Sequence, residues 1–185
     1  MHPLSYQPLD ASCWVTSMIN GIMYLHKGRR VPFIAYRLLH NILVEDGVFY
    51  YTKKDQQQFE AVSQAVGACS KLDITYRTGK DVEHLITTLN YTKQVAVCDI
   101  GSRDHAILIN GFQNGAFEAF DPYWENVRGG ESVDGEYEKH PPYMDGSKNT
   151  VNVRLWPRHL FASRKGNAFQ MGAVSMRFAT VLTTP

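Results

Sequence analysis

The chain holds three cysteines, Cys13, Cys69 and Cys98, and their number and spacing frame the chemistry it could do. An odd, sparse set builds no disulfide framework, and no Cys-x-x-Cys pairing offers a zinc site. Each thiol is therefore either a small buried apolar group or a reactive one. Cys13 falls at the expected first turn of a helix, where unpaired N–H groups and the positive end of the macrodipole favour a thiolate. Cys69 closes a helix, where the dipole acts against a thiolate, and Cys98 alternates within a β-type run; both read as core residues.

A thiol nucleophile needs a base and a group that orients the base. Of seven histidines, His105 stands where the chain enters an expected hairpin, and Asp121 stands sixteen residues later where it leaves. Folding at the midpoint, position 113, beside Asn114-Gly115, brings the two nearly level. A carboxylate there would fix the imidazole tautomer and stabilise the imidazolium. Singly, each has a plainer reading: a surface His, and an Asp opening an Asp-Pro turn. His2, His26, His40, His84, His140 and His159 are assigned to the surface, helix ends or loops, with His140 able to approach a site from its polar loop. Gln7, six residues before Cys13, is an ordinary polar turn residue by itself. In company it could supply the side-chain amide of an oxyanion hole whose second donor is the Cys13 N–H.

Together, Gln7, Ala11-Ser12-Cys13-Trp14, Ser17, Asp104-His105-Ala106 and Asp121-Pro122 resemble the papain-like cysteine peptidases. The Asp-Pro pair and the short chain resemble most the bacteriocin-processing (double-glycine) peptidases, cysteine peptidase family 39. The strings differ from papain-type enzymes, which carry Asn followed by Ser-Trp-Gly at the third position, and from double-glycine peptidases, whose nucleophile string usually reads Asp-Cys-Gly. The resemblance implies an α+β papain-like fold, with N-terminal helices packed on an antiparallel β-sheet. It also implies cleavage of a peptide or amide bond through an acyl-thioester on Cys13. His105 would act as base and then acid, Asp121 as its orienter, and Gln7 as oxyanion donor, with no metal or organic cofactor. Two other functions keep the same residues. One is an acyltransferase or transglutaminase-like enzyme using the Cys-His-Asp order; the other is an inactive papain-like domain that binds peptides.

The elements that must position these residues follow from periodicity. From Cys13 to Leu25, Trp14, Val15, Met18, Ile19, Ile22 and Met23 fall on one helical face, with Asp10 or Ser12 as cap and Lys27-Gly28 as stop. A second helix is expected after Pro32, with Ile34, Leu38 and Ile42 in register. A third spans about 55–68 with Phe59, Val62 and Val66, and a fourth spans about 81–89 with Val82, Leu85, Ile86 and Leu89. Strand-type runs then cover 94–100, 106–110, 116–120, 150–155 and 173–182, with Asn114-Gly115 as a hairpin signal. Helices before strands argue for one α+β domain over 1–185, helical to about 92 and sheet from about 93. Residues 125–149 form a polar loop with six acidic and three basic residues, rich in Gly and Pro. So close behind Asp121, it is expected to border the site and shape substrate choice.

Whole-chain properties set limits on partners. The 185 residues carry 19 Lys and Arg against 18 Asp and Glu, a formal charge of +1, with no electrostatic footprint for nucleic acid or anionic lipid. Apolar residues at 44% and charged residues at 20% match an ordinary globular domain. No apolar run approaches the ~18 residues of a membrane span, and Met1-His2-Pro3-Leu4 lacks the basic start of a secretory signal. The expected partner is a peptide or protein substrate, with neither nucleic acid nor membrane. The expected location is the cytoplasm, or delivery without a classical signal peptide.

Overall fold

The computed structural model describes residues 4, 13–27, 31–45, 53–101, 105–123, 137–139, 150–163 and 169–185. Helix α1 (Cys13–Leu25) buries Trp14, Val15, Met18 and Ile22, four positions at i, i+1, i+4 and i+8 that lie on one side of the helix. Its helical partner is α2 (Phe33–Glu45), which packs in turn on α3 (Lys53–Ser70). The buried face of α2 is one residue out of phase with the periodicity reading. Ala35 and Leu39 are fully buried and Leu38 packs beside them, while Ile34 is 62% exposed. The pair at i and i+4 sets the inward stripe, and the small Ala35 lets α2 approach its neighbours closely. The side chain of Ile42 lies outside the described residues.

The sheet has seven strands, antiparallel at every pairing: β1 (Asp73–Thr78), β2 (Gln94–Ile100), β3 (His105–Gln113), β4 (Ala116–Phe120), β5 (Tyr137–Lys139), β6 (Val153–Leu155) and β7 (Phe178–Thr183). Their spatial order is β1-β7-β2-β3-β4-β6-β5. Helix α4 (Asp81–Thr88) and a short α5 (Pro157–Leu160) complete the described elements. One sheet face sets Val95, Val97, Ala106, Leu108, Phe120 and Leu182 against α1, α2 and α3. The other sets Ala96, Cys98, Ile107, Ile109, Ala179 and Val181 against α4 and against Leu160, Phe161, Phe169 and Met171. Burial on both faces explains why β2 and β3 read as continuous apolar runs and not as alternating ones. Helix α1 lies close on the sheet at Gly21, where an added Cβ would meet Val95, Leu108 and Leu182 side chains at 3.3 Å each.

The element order departs from helices-then-strands. Strand β1 falls between α3 and α4, inside the stretch read as helical, and pairs along its whole length with the last strand, β7. Its polar Asp-Ile-Thr-Tyr-Arg-Thr string is half exposed because it forms a sheet edge. Strand β5 falls within the stretch read as loop. Residues 174–176, read as strand, form a 3₁₀ turn before β7. No described helix is long and apolar enough to cross a membrane.

Candidate active site

Cys13 is the first residue of α1 and is partly exposed. One turn on, the buried Ser17 hydroxyl donates to the Ala106 carbonyl at 3.2 Å, tying this end of α1 to β3 beside His105. His105 opens β3, paired with Ile100 across the β2–β3 turn. That turn leaves β2 at Gly101, whose φ of +59° suits glycine and whose N–H donates to the Gln170 carbonyl at 2.7 Å.

The hairpin turns at Asn114-Gly115, both at positive φ (+53° and +78°), as the Asn-Gly pair demands. The pairing is not simply level, however. A bulge at Asn110 separates the Ile109↔Ala119 and Gly111↔Glu118 pairs. A regular ladder counted from the turn would set Asp121 opposite Leu108, on the face away from His105. The bulge absorbs one residue, so Leu108 pairs with Phe120 and the same register continued puts Asp121 opposite Ile107. Asp121 therefore lies two residues along from His105 on a shared face, a diagonal relation that long side chains bridge.

They do meet. His105 Nε2–H donates to Asp121 Oδ1 at 2.6 Å, and the same oxygen accepts the Tyr123 N–H at 2.8 Å. The Asp121 side chain is fully buried and that of His105 is 16% exposed. Cys13 is close enough to the same ring to act on its charge as well. Tyr123 places its ring edge-on to the imidazole, centroids 6.1 Å apart. Burial pushes the His105 pKa down, but the hydrogen bonds to Asp121 and Cys13 and their charges outweigh it, raising it to about 10. At neutral pH the imidazole is therefore cationic, the partner that a thiolate requires.

Asp121 is held in turn by Asn152, a residue with no signal in the sequence. The Asp121 N–H donates to Asn152 Oδ1 at 2.7 Å, and Asn152 Nδ2 donates to the Asp121 carbonyl at 2.8 Å. Of the four candidate site residues, the structure brings Cys13, His105 and Asp121 together, and Gln7 lies outside the described residues. So do the caps Asp10 and Ser12, the residues His2 and His140, and the 125–149 segment apart from β5.

The remaining candidates separate from this cluster. Cys98 is fully buried in β2, where desolvation and then the neighbouring Asp99 push its thiol well above the ordinary range. Cys69 lies in the last turn of α3. The His26 ring contacts the Ser70 carbonyl at 2.7 Å, the His40 ring packs on Tyr36, and His159 is buried in α5. Among the described residues, no group of three or more His, Cys, Asp or Glu side chains is placed to hold a metal ion. The comparisons with protein-family models, curated proteins and solved structures find no match for the chain.

Proposed function

We propose that the chain is a papain-like thiol hydrolase that cleaves peptide or amide bonds through an acyl-thioester on Cys13. The observation that supports this best is the continuous chain from Cys13 at a helix start, through His105, to the buried Asp121. The helix that starts at Cys13 packs on the antiparallel sheet that carries His105, an α+β arrangement that supports the papain-like reading.

In this reading the Cys13 thiolate attacks the carbonyl carbon, forming a C–S bond and an oxyanion. The Cys13 N–H and the Gln7 amide would stabilise that oxyanion. As it collapses, the C–N bond breaks and the imidazolium of His105 gives its proton to the leaving amine. The neutral imidazole then takes a proton from water. The resulting hydroxide equivalent attacks the thioester, releasing the acid and restoring the thiolate–imidazolium pair. Asp121 remains ionised and keeps the ring aligned throughout.

The test is acylation by a small activated ester, followed by intact-mass measurement and mapping, in wild type, Cys13→Ser and His105→Ala. The proposal expects one acyl group on Cys13, lost to water, with no adduct in Cys13→Ser. Acyl transfer to an added amine in preference to water would assign the site to a transferase. An unmodified Cys13 in folded protein would remove the reading altogether.

A further inference from the structure

We propose that Asn152 is a positioning residue for the reaction at Cys13, acting through the backbone of Asp121. The proposal rests on the thiol-hydrolase reading and adds a member to that site.

Asp121 lies one residue beyond β4, where regular pairing with β6 has ended at Ala119↔Val153. The Asn152 N–H still donates to the Ala119 carbonyl at 3.0 Å. Beyond that point no backbone of β6 faces Asp121, and the Asn152 side chain takes its place. One carboxamide presents an acceptor and a donor side by side, so it satisfies both the N–H and the C=O of a single residue. Both Asn152 and Asp121 are fully buried. Pro122 follows and restricts Asp121 to extended backbone, the conformation in which its N–H and C=O are available for this clamp. With the main chain held at two points, the remaining freedom of Asp121 is its side chain. There the Tyr123 N–H and His105 Nε2–H converge on Oδ1.

The consequence is geometric. A diagonal His–Asp contact across two strands depends on where the carboxylate is held, and Asp121 sits where the ladder no longer imposes its place. Asn152 restores that constraint. No isosteric replacement does so: Asp lacks the donor, Leu lacks both groups, and Gln is one methylene too long for a filled site.

The test compares wild type with Asn152→Ala by two measurements: the rate of Cys13 acylation by an activated ester, and titration of the His105 ring followed by NMR. We expect Asn152→Ala to slow acylation by roughly 10–100-fold through kcat, with KM little changed, because misplacement near 1 Å costs about that much. We expect the His105 titration to fall from about 10 toward 6.5 as its bond to Asp121 loosens. A slow variant with an unshifted His105 would overturn the proposal, since Asn152 would then act elsewhere. So would a folded Asn152→Ala with wild-type rate and titration. If Asn152→Ala does not fold, Asn152→Ser is read by the same criteria. Failure of the hydrolase reading itself looks different: wild-type Cys13 would not acylate at all, whatever stands at 152.

Discussion

His105 carries the electrostatics of the site. In the proposed hydrolase His105 both gives and takes the proton, so His105→Ala should lose about 10²–10⁴-fold in acyl turnover. Asp121→Asn should retain appreciable turnover, because an amide oxygen can still accept the Nε2–H; equal losses in both variants would give Asp121 a role beyond orientation. The same pair predicts a pH dependence of stability. The folded His105 value of about 10 lies above its ordinary 6.5, owing to Asp121 and Cys13, with Tyr123 the other titratable neighbour. The protonated ring therefore favours the fold fully below about pH 6.5, and that contribution is lost as pH rises through about 10. Urea midpoints measured from pH 6 to 10 should fall in wild type, and less so in Asp121→Asn, where the largest raising influence is gone. Parallel curves for the two proteins would contradict this assignment.

At the scale of elements, the site is where one helix end meets one strand end. Ser17 ties α1 to β3 one turn from Cys13, through the carbonyl of the residue next to His105. Ser17→Ala should cost about 1 kcal/mol in urea unfolding, the usual worth of a buried hydrogen bond. It should also slow iodoacetamide alkylation of Cys13 at pH 6 by roughly 10-fold, because the thiol and imidazole lose their common anchor. The stability loss with an unchanged alkylation rate would limit Ser17 to packing. The bulge at Asn110 acts on the same scale. It gives up a regular ladder position and turns Asp121 onto the face of His105. Its Asn110 Nδ2–H donates to the Thr150 carbonyl at 2.6 Å, which secures the irregular strand.

For the molecule as a whole, a sheet covered on both faces leaves its strand ends and connecting segments to carry recognition. The acidic segment 125–149 begins four residues after Asp121, so its start lies within ~13 Å of that residue even when fully extended. Its three excess negative charges would favour basic or neutral peptides over acidic ones, less strongly as salt is added. Replacing 126–148 with a short Gly-Ser linker removes β5, a three-residue edge strand. It should leave ester turnover by Cys13 intact while flattening preferences across a peptide library. An unchanged peptide profile would make the segment a solvated insertion without a part in selection.

The sequence by itself determined what depends on neighbours along the chain. The apolar stripe of α1 placed Cys13 at a helix start, and Asn114-Gly115 supplied the two positive-φ residues of the hairpin that carries His105 and Asp121. Those signals act within a few residues, where backbone sterics and helical spacing decide the outcome. What depended on distant partners was decided only by the tertiary structure. Strand β1 is polar and half exposed, and it exists as a strand because β7, at the other end of the chain, pairs with it. The phase of α2 was set by packing against α1 and α3, which selected Ala35 and Leu39 over Ile34. The face on which Asp121 lies depended on one unpaired residue, Asn110, and its fixed position depends on an asparagine 31 residues further on. A side-chain amide standing in for a missing strand has no local pattern, because the backbone groups that it satisfies belong to a residue brought to it by the fold.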